Sequence, residues 1–267
     1  SSGLEPLGLP EVADLVSHAL PDVLGRERAH FAGRHTTVVG AGHSAANTLL
    51  ALAQLAREEP GTRVTWLIRN ASAVRVTTSP DDELAARASL GARVDAVVAS
   101  GAIEVVDRFE IVRLERQAEG VRLVGARAGE LVEHHTDLVV NATGFRPNLD
   151  MLREVRLDLD EIVEAPRRLA PLIDPNEHTC GTVEPHGFAE LQHPEEGFFL
   201  AGMKSYGRAP TFLLATGYEQ VRSVVAEVAG DHEAASRVDL VLPETGVCGG
   251  SGLHAGEPVA VGGGCCA

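Results

Sequence analysis

The chain has 267 residues, 44% of them hydrophobic, which suits about two soluble domains and gives ample core material. Its 38 acidic against 23 basic residues leave a formal charge of −15, so nucleic acid and anionic membranes are excluded as main partners. No apolar run approaches the ~20 residues of a membrane span, and there is no basic n-region followed by an apolar h-region. A cytoplasmic location and a small-molecule substrate are therefore expected, and the composition fixes no oligomeric state.

Residues 1–33 carry Pro6, Pro10 and Pro21 and read as a connector with two short helices, Glu11–Leu20 and Pro21–Phe31. From Arg34 the pattern changes. His35-Thr-Thr-Val-Val39 is β-branched and apolar, as a buried parallel strand should be, and Gly40-Ala-Gly-His-Ser-Ala45 follows at once. This is G-x-G-x-x-A between a strand and a helix, the context a dinucleotide fingerprint needs. Gly40 would permit the tight turn, Gly42 the close approach of a pyrophosphate, and Ala45 the packing of helix on strand. Ala41, His43 and Ser44 would lie beside the phosphates at the helix N-terminus. A tight βα turn of small residues that binds nothing is the bland alternative.

The helix Ser44–Arg57 has small or apolar residues at Ala45, Leu49, Leu52, Ala53 and Ala56, and Pro60-Gly61 ends it. Val64–Ile68 reads as the second strand, with Arg69 at its carboxyl end. No Asp or Glu occurs between Val64 and Pro80, whereas Arg69 and Arg75 do, which favours the 2′-phosphate of NADPH over the ribose hydroxyl of NADH. Asp81-Asp82-Glu83 caps a helix running to Leu90. Ile103–Val106, Glu110–Arg116, Val121–Gly125 and Leu131–His135 alternate in short strands and are read together as a β-meander. His134 and His135 have no ligand partners at metal spacing and read as strand-surface residues. The apolar strand Asp137–Asn141 then opens into Ala142-Thr-Gly144. Residues Leu149–Pro175 are irregular. A short strand, Gly197–Ala201, runs into Gly202-Met203, and a long helix, Thr211–Ala229, carries Leu214, Tyr218, Val221, Val225 and Val228 at helical spacing, read as a core stripe. Between Thr245 and Ala267 there are eight glycines and three cysteines, a composition with little reason to form regular structure.

Three of these motifs, Gly40–Ala45, Ala142-Thr-Gly144, and Gly202 with the helix from Thr211, occur in the order found in two-dinucleotide-binding flavoproteins. Over about Arg34–Gly230 the chain resembles flavin-containing monooxygenases and related NAD(P)H-dependent FAD oxidoreductases of the pyridine nucleotide-disulfide reductase type. The resemblance implies an α/β fold: a three-layer Rossmann-like domain with parallel sheet and β-meander, then the C-terminal half of an FAD-binding domain. The implied division is connector 1–33, NADPH domain 34–145, FAD half 146–235 and tail 236–267. Thr143 and Gly144 would lie against the nucleotides, and Gly202, Met203, Thr211 and Phe212 would line the flavin.

Two departures stand out. The first G-x-G-x-x-G of such proteins, which holds the ADP half of FAD, is missing, so the expectation is a truncated chain. Met203 stands where disulfide-reductase relatives place an Asp, which leans toward the monooxygenase branch. No Cys-x-x-Cys exists either. Cys265-Cys266, with Cys248 upstream, could instead hand a soft metal to the body, as in mercuric reductases or arsenic-resistance flavoproteins, or be an incidental tail. No catalytic residue is identified by spacing. The leading expectation is an NADPH-dependent flavoprotein oxidoreductase; the alternatives are a metal(loid) reductase and a non-catalytic NADP-binding fragment.

Overall fold

The computed structural model describes residues 5–18, 20–70, 85–174 and 185–240. Arg75, the acidic cap at 81–83, Cys180 and the three tail cysteines lie outside the described residues.

The first segment departs from the expected pair of helices. Pro10–Leu15 forms a 3-10 turn, and Val16–His18 is then a strand, β1, that lies parallel to the last strand of the sheet. Of the second expected helix only α1 (Arg28–Phe31) is helical. The physical reason lies in the partners. Val12, Val16 and Phe31 are buried against the sheet and its layers, and that burial overrides a weak local helical pattern.

The next elements are β2 (His35–Val39), α2 (His43–Glu58), β3 (Arg63–Leu67), α3 (Ala85–Ala99) and β4 (Glu104–Val106). The meander strands β5 (Glu110–Arg116), β6 (Val121–Arg127) and β7 (Glu130–Thr136) follow, and β8 (Leu138–Asn141) closes this region. The parallel sheet has the order β1-β8-β2-β3-β4. β4 therefore belongs to this sheet, paired to β3, and not to the meander in which the sequence pattern placed it. The meander is the antiparallel sheet β5-β6-β7. Ala128 and Gly129 join β6 to β7 with φ of 53° and 87°, a two-residue turn that needs positive φ twice and suits the strand twist.

Side-chain alternation builds three layers. Val38, Val64, Trp66 and Val140 point to the helix side, where Ala45, Leu49, Leu52 and Val94 cover them. Val39, Leu67 and Val139 point to the other side, where Phe109, Leu114, Val121 and Leu123 of the meander region cover them. Both faces of the sheet are thus buried, which is why its strands read as near-continuous apolar runs.

The remaining helices are α4 (Ala170–Ile173), α5 (Phe188–Leu191), α6 (Leu214–Val228) and α7 (His232–Ser236). A third core gathers Val163, Leu169, Ile173, Leu191 and Tyr206. Gly197–Ala201 forms no strand; Phe199 makes a single bridge to Gln192.

α6 is shorter than expected and turned the other way round. Leu214, Tyr218, Val221, Val225 and Val228, expected as core, are 52 to 73% exposed. The buried positions are Thr216, Glu219, Gln220 and Ser223. A polar network explains the inversion. The Gln220 side chain accepts from Gly202 N at 2.7 Å, donates to Ser205 Oγ at 2.9 Å and meets His186 Nε2 at 2.9 Å. Ser223 Oγ donates to Ala235 O and accepts from Phe188 N. A face so fully bonded is stable inside; rotating it outward would orphan several buried partners.

Candidate functional site

The carboxyl ends of β2, β3 and β8 frame a cavity of about 420 Å³, open to solvent. Its lining includes Gly40, Ala41, Arg69, Asn141 and Thr143 along the sheet edge, with Leu7, Phe109 and Ile111 from the meander side. Ligands of open α/β sheets bind at this edge, outside the carboxyl ends of the strands.

The two fingerprint glycines do different jobs, and they are placed differently: Gly40 lines the cavity, whereas Gly42, His43, Ser44 and Gly144 are not among its lining residues. Gly40 has φ of +121°, and a Cβ built on it would lie 2.2 Å from Ala142 O. It is a contact glycine, needed so that the turn can pass the end of β8. Its N–H bonds Leu67 O at 3.2 Å, and its carbonyl accepts from the Trp66 indole Nε1 at 2.6 Å. Gly42 has ordinary backbone, φ −93°, and a Cβ there would meet nothing within 4 Å. It is the N-cap of α2 and offers no side chain to the first-turn N–H groups. Open space in front of a side-chain-free helix N-terminus is what a phosphate needs. Ala45 is fully buried between helix and strand. His43 and Ser44 open the helix beside it.

Arg69, just past the carboxyl end of β3, lines the same cavity and is exposed. At the β8 end, Asn141 Oδ1 accepts from Thr143 N at 3.2 Å and from Thr143 Oγ1 at 2.7 Å, an Asx-type turn that fixes the strand's exit. Gly144 follows with φ +108° and open space around its Cβ position. Sequence reasoning passed over Trp66 and Asn141. Their types carried a signal only in retrospect: a lone buried Trp on a strand facing the fingerprint, and an Asn at a strand end.

The second group of expected residues is not gathered in this cavity. Gly202, at φ +75°, starts a 3-10 turn through Tyr206 that leaves Met203 60% exposed. Thr211 and Phe212 precede α6 instead of opening it. Thr211 Oγ1 is buried without a hydrogen-bond partner among the described residues, and Phe212 packs edge-on to Tyr206 at 5.2 Å between ring centroids. Among the described residues there is no group of three or more side chains that could hold a metal ion. Nor, among them, is any helix long and apolar enough to cross a membrane.

Far from the cavity, His35 and His134 meet across the sheet and meander, ring centroids 5.6 Å apart. His35 Nε2 pairs with Thr65 Oγ1 and His134 Nε2 with Thr37 Oγ1, both at 2.8 Å. Burial holds both imidazoles below the usual histidine range, with Arg63 adding to the effect at His35, and the neighbouring ring at His134. His134, read as a surface residue, is thus an interlayer contact.

Residues 15–179 match the family described as pyridine nucleotide-disulphide oxidoreductase. A comparison with curated protein sequences finds no match. Among solved structures, the bacillithiol disulfide reductase Bdr of Bacillus cereus aligns with a TM-score of 0.58 at 19% identity, over 85% of this chain and 57% of that one. DfoA, the FAD-bound cadaverine monooxygenase of the desferrioxamine biosynthetic pathway of Erwinia amylovora, aligns at 0.55 and 17%, over 91% and 62%. The HOCl-induced flavoprotein disulfide reductase RclA of Escherichia coli, as its Cu(II) complex, aligns at 0.53 and 12%, over 88% and 44%. At these identities the likeness establishes the fold, and the chain spans less than two thirds of the length of each of these structures.

Proposed function

The chain belongs to the pyridine nucleotide-disulphide oxidoreductase family, and on that premise we propose that its five-stranded body binds NADPH and that it serves an NADPH-dependent flavoprotein oxidoreductase of monooxygenase-like type. The observation that carries the reading is the open space before Gly42 at the uncapped start of α2, with Arg69 across the same edge. The N–H groups of α2 would hold the pyrophosphate, Arg69 the 2′-phosphate, and Thr143 with Gly144 the nucleotide's far end. When bound, the reduced nicotinamide supplies a hydride, which a flavin can accept and relay to oxygen or a small substrate.

The residues of the second body fit part of a flavin site. The exposed Met203, the positive-φ turn at Gly202 and the unpartnered hydroxyl of Thr211 would border the isoalloxazine or its chain. On this reading the chain's own contribution to such a site is an edge, with residues 146–235 acting as the C-terminal portion of a flavin domain.

Titration of the purified chain with NADPH and with NADH, followed by nicotinamide fluorescence, tests the reading. Arg69→Ala should weaken NADPH about 10- to 100-fold while changing NADH little, as expected for one lost charge-assisted phosphate contact. Equal loss for both nucleotides, or no binding of either by the wild-type chain, would overturn it.

A further inference from the structure

We propose that Arg108, just beyond the carboxyl end of β4, is a second cation for the 2′-phosphate of the dinucleotide, rooted on the strand next to that of Arg69. The inference deepens the dinucleotide reading and rests on it.

The backbone holds the two arginines on adjacent strand ends. β3 and β4 run parallel, and their bonding continues past the strands. Ile68 N donates to Val106 O at 2.9 Å, Phe109 N to Ile68 O at 3.0 Å, and Arg108 N to Asn70 O at 3.2 Å. The last bond ties Arg108 to the residue that follows Arg69. Arg69 and Asn70 line the cavity, and Arg108 is exposed. Two guanidinium groups based this closely are suited to share one phosphate dianion, each through charge-assisted hydrogen bonds.

Charge pairing sets these two apart from the arginines of the meander, all four of which are committed. Arg113 pairs with Glu115, Arg116 with Asp14, Arg122 with Glu115 and Glu133, and Arg127 with Asp107. Asp107, the immediate neighbour of Arg108, is thus already engaged. Among the described residues neither Arg69 nor Arg108 forms an ion pair or a side-chain hydrogen bond, and Glu5 and Glu110, which line the same cavity, pair with neither. The result is a local positive charge at one strand edge of a chain whose net charge is −15.

The conformation of Arg108 points the same way. Its φ is +54°, in the left-handed region, where a side chain is strained. The turn uses that conformation to leave β4 and drop Phe109 into the core, where it is buried. Glycine would make such a turn without steric cost. What an arginine adds there is its guanidinium, and that group serves no polar partner among the described residues.

The test titrates the full chain with NADPH and with NADH in wild type, Arg108→Gly, Arg108→Lys, Arg69→Ala and the double variant Arg69→Ala/Arg108→Gly, alongside thermal melts. Glycine suits the left-handed backbone, so Arg108→Gly should melt at or above the wild-type midpoint. It should weaken NADPH about tenfold, as for one lost charge-assisted contact, and NADH less than about twofold. Arg108→Lys keeps the charge and should recover most of the NADPH affinity. The double variant should bind the two nucleotides about equally. Unchanged NADPH affinity in Arg108→Gly, with the loss confined to Arg69→Ala, would overturn this inference and leave the dinucleotide reading standing. Equal losses of NADPH and NADH in Arg108→Gly would assign the residue to the turn alone and overturn it as well. Binding of neither nucleotide by the wild-type chain would overturn the dinucleotide reading, and the inference with it.

Discussion

Replacing either fingerprint glycine with alanine adds the same methyl group, yet the two substitutions should fail in opposite ways. At Gly40 the added Cβ sits 2.2 Å from Ala142 O, a backbone atom that cannot swing aside, and the backbone is held at φ +121°. Strain of that kind costs about 1–3 kcal/mol before the clash is relieved, so about 3 kcal/mol in total is expected. In a chain of this size that lowers the melting midpoint by about 6–12 °C. At Gly42 the backbone is ordinary and the Cβ meets nothing, so Gly42→Ala should leave stability unchanged or raise it by up to about 1 kcal/mol through the unfolded chain. On the proposed reading the methyl group would instead stand in the path of the pyrophosphate, and NADPH affinity should fall about tenfold, roughly 1.4 kcal/mol. Thermal melts and NADPH titrations of the two variants, side by side, give the answer. A Gly42→Ala protein that binds NADPH as wild type does, or a Gly40→Ala protein that melts as wild type does, would refute the division of labour.

Other outcomes are as specific. For His35 and His134 the folded values lie below the unfolded one of about 6.5, so the unfolded chain takes up protons first; the pair's contribution is complete above about pH 6.5 and is lost as pH falls through the depressed folded values. Asp137 and Glu104 oppose the shift at His35 without reversing it. Denaturation midpoints should therefore drop more steeply on acidification to about pH 5.5 in wild type than in His35→Gln/His134→Gln, and parallel profiles would contradict this. Gln220→Leu would leave Gly202 N without its acceptor and take from Ser205 Oγ the bond it accepts, while Ser205 Oγ keeps its own bond to Gly202 O; a loss of about 1–3 kcal/mol in urea titration is expected, and less than about 0.5 would argue against the network. Trp66→Phe removes the bond to Gly40 O and should cost about 1–2 kcal/mol with a several-fold weaker NADPH, whereas unchanged binding would show that the turn holds itself.

Wherever burial and local pattern agree, the sequence was legible. β2, α2, β3 and the strands of the meander were found within a few residues, because both-sided burial and period-two alternation write themselves plainly. β1 was missed because three residues at an edge have too little length to show a period, and β4 was assigned to the meander because its alternation says nothing about parallel or antiparallel pairing. α6 misled for a different reason. A periodic apolar stripe tells which residues share a face, and not whether that face is turned inward; the Gln220 network, invisible in a spacing pattern, decided it. In the site, the turn from Gly40 to Ala45 was readable from residue types alone. Trp66 and Asn141 act through geometry between separate strands, which spacing along one chain does not reveal.

The indole that braces the Gly40 carbonyl is the only tryptophan in the protein, and it is 3% exposed. Its fluorescence is therefore a single-site signal, free of contributions from any other part of the chain. Gly40, whose carbonyl the indole holds, lines the cavity, and a reduced nicotinamide nucleotide bound there would accept the indole's excitation energy. The fold has placed an optical reporter directly beneath the turn whose role most needs measuring, with no label to attach and no residue to change.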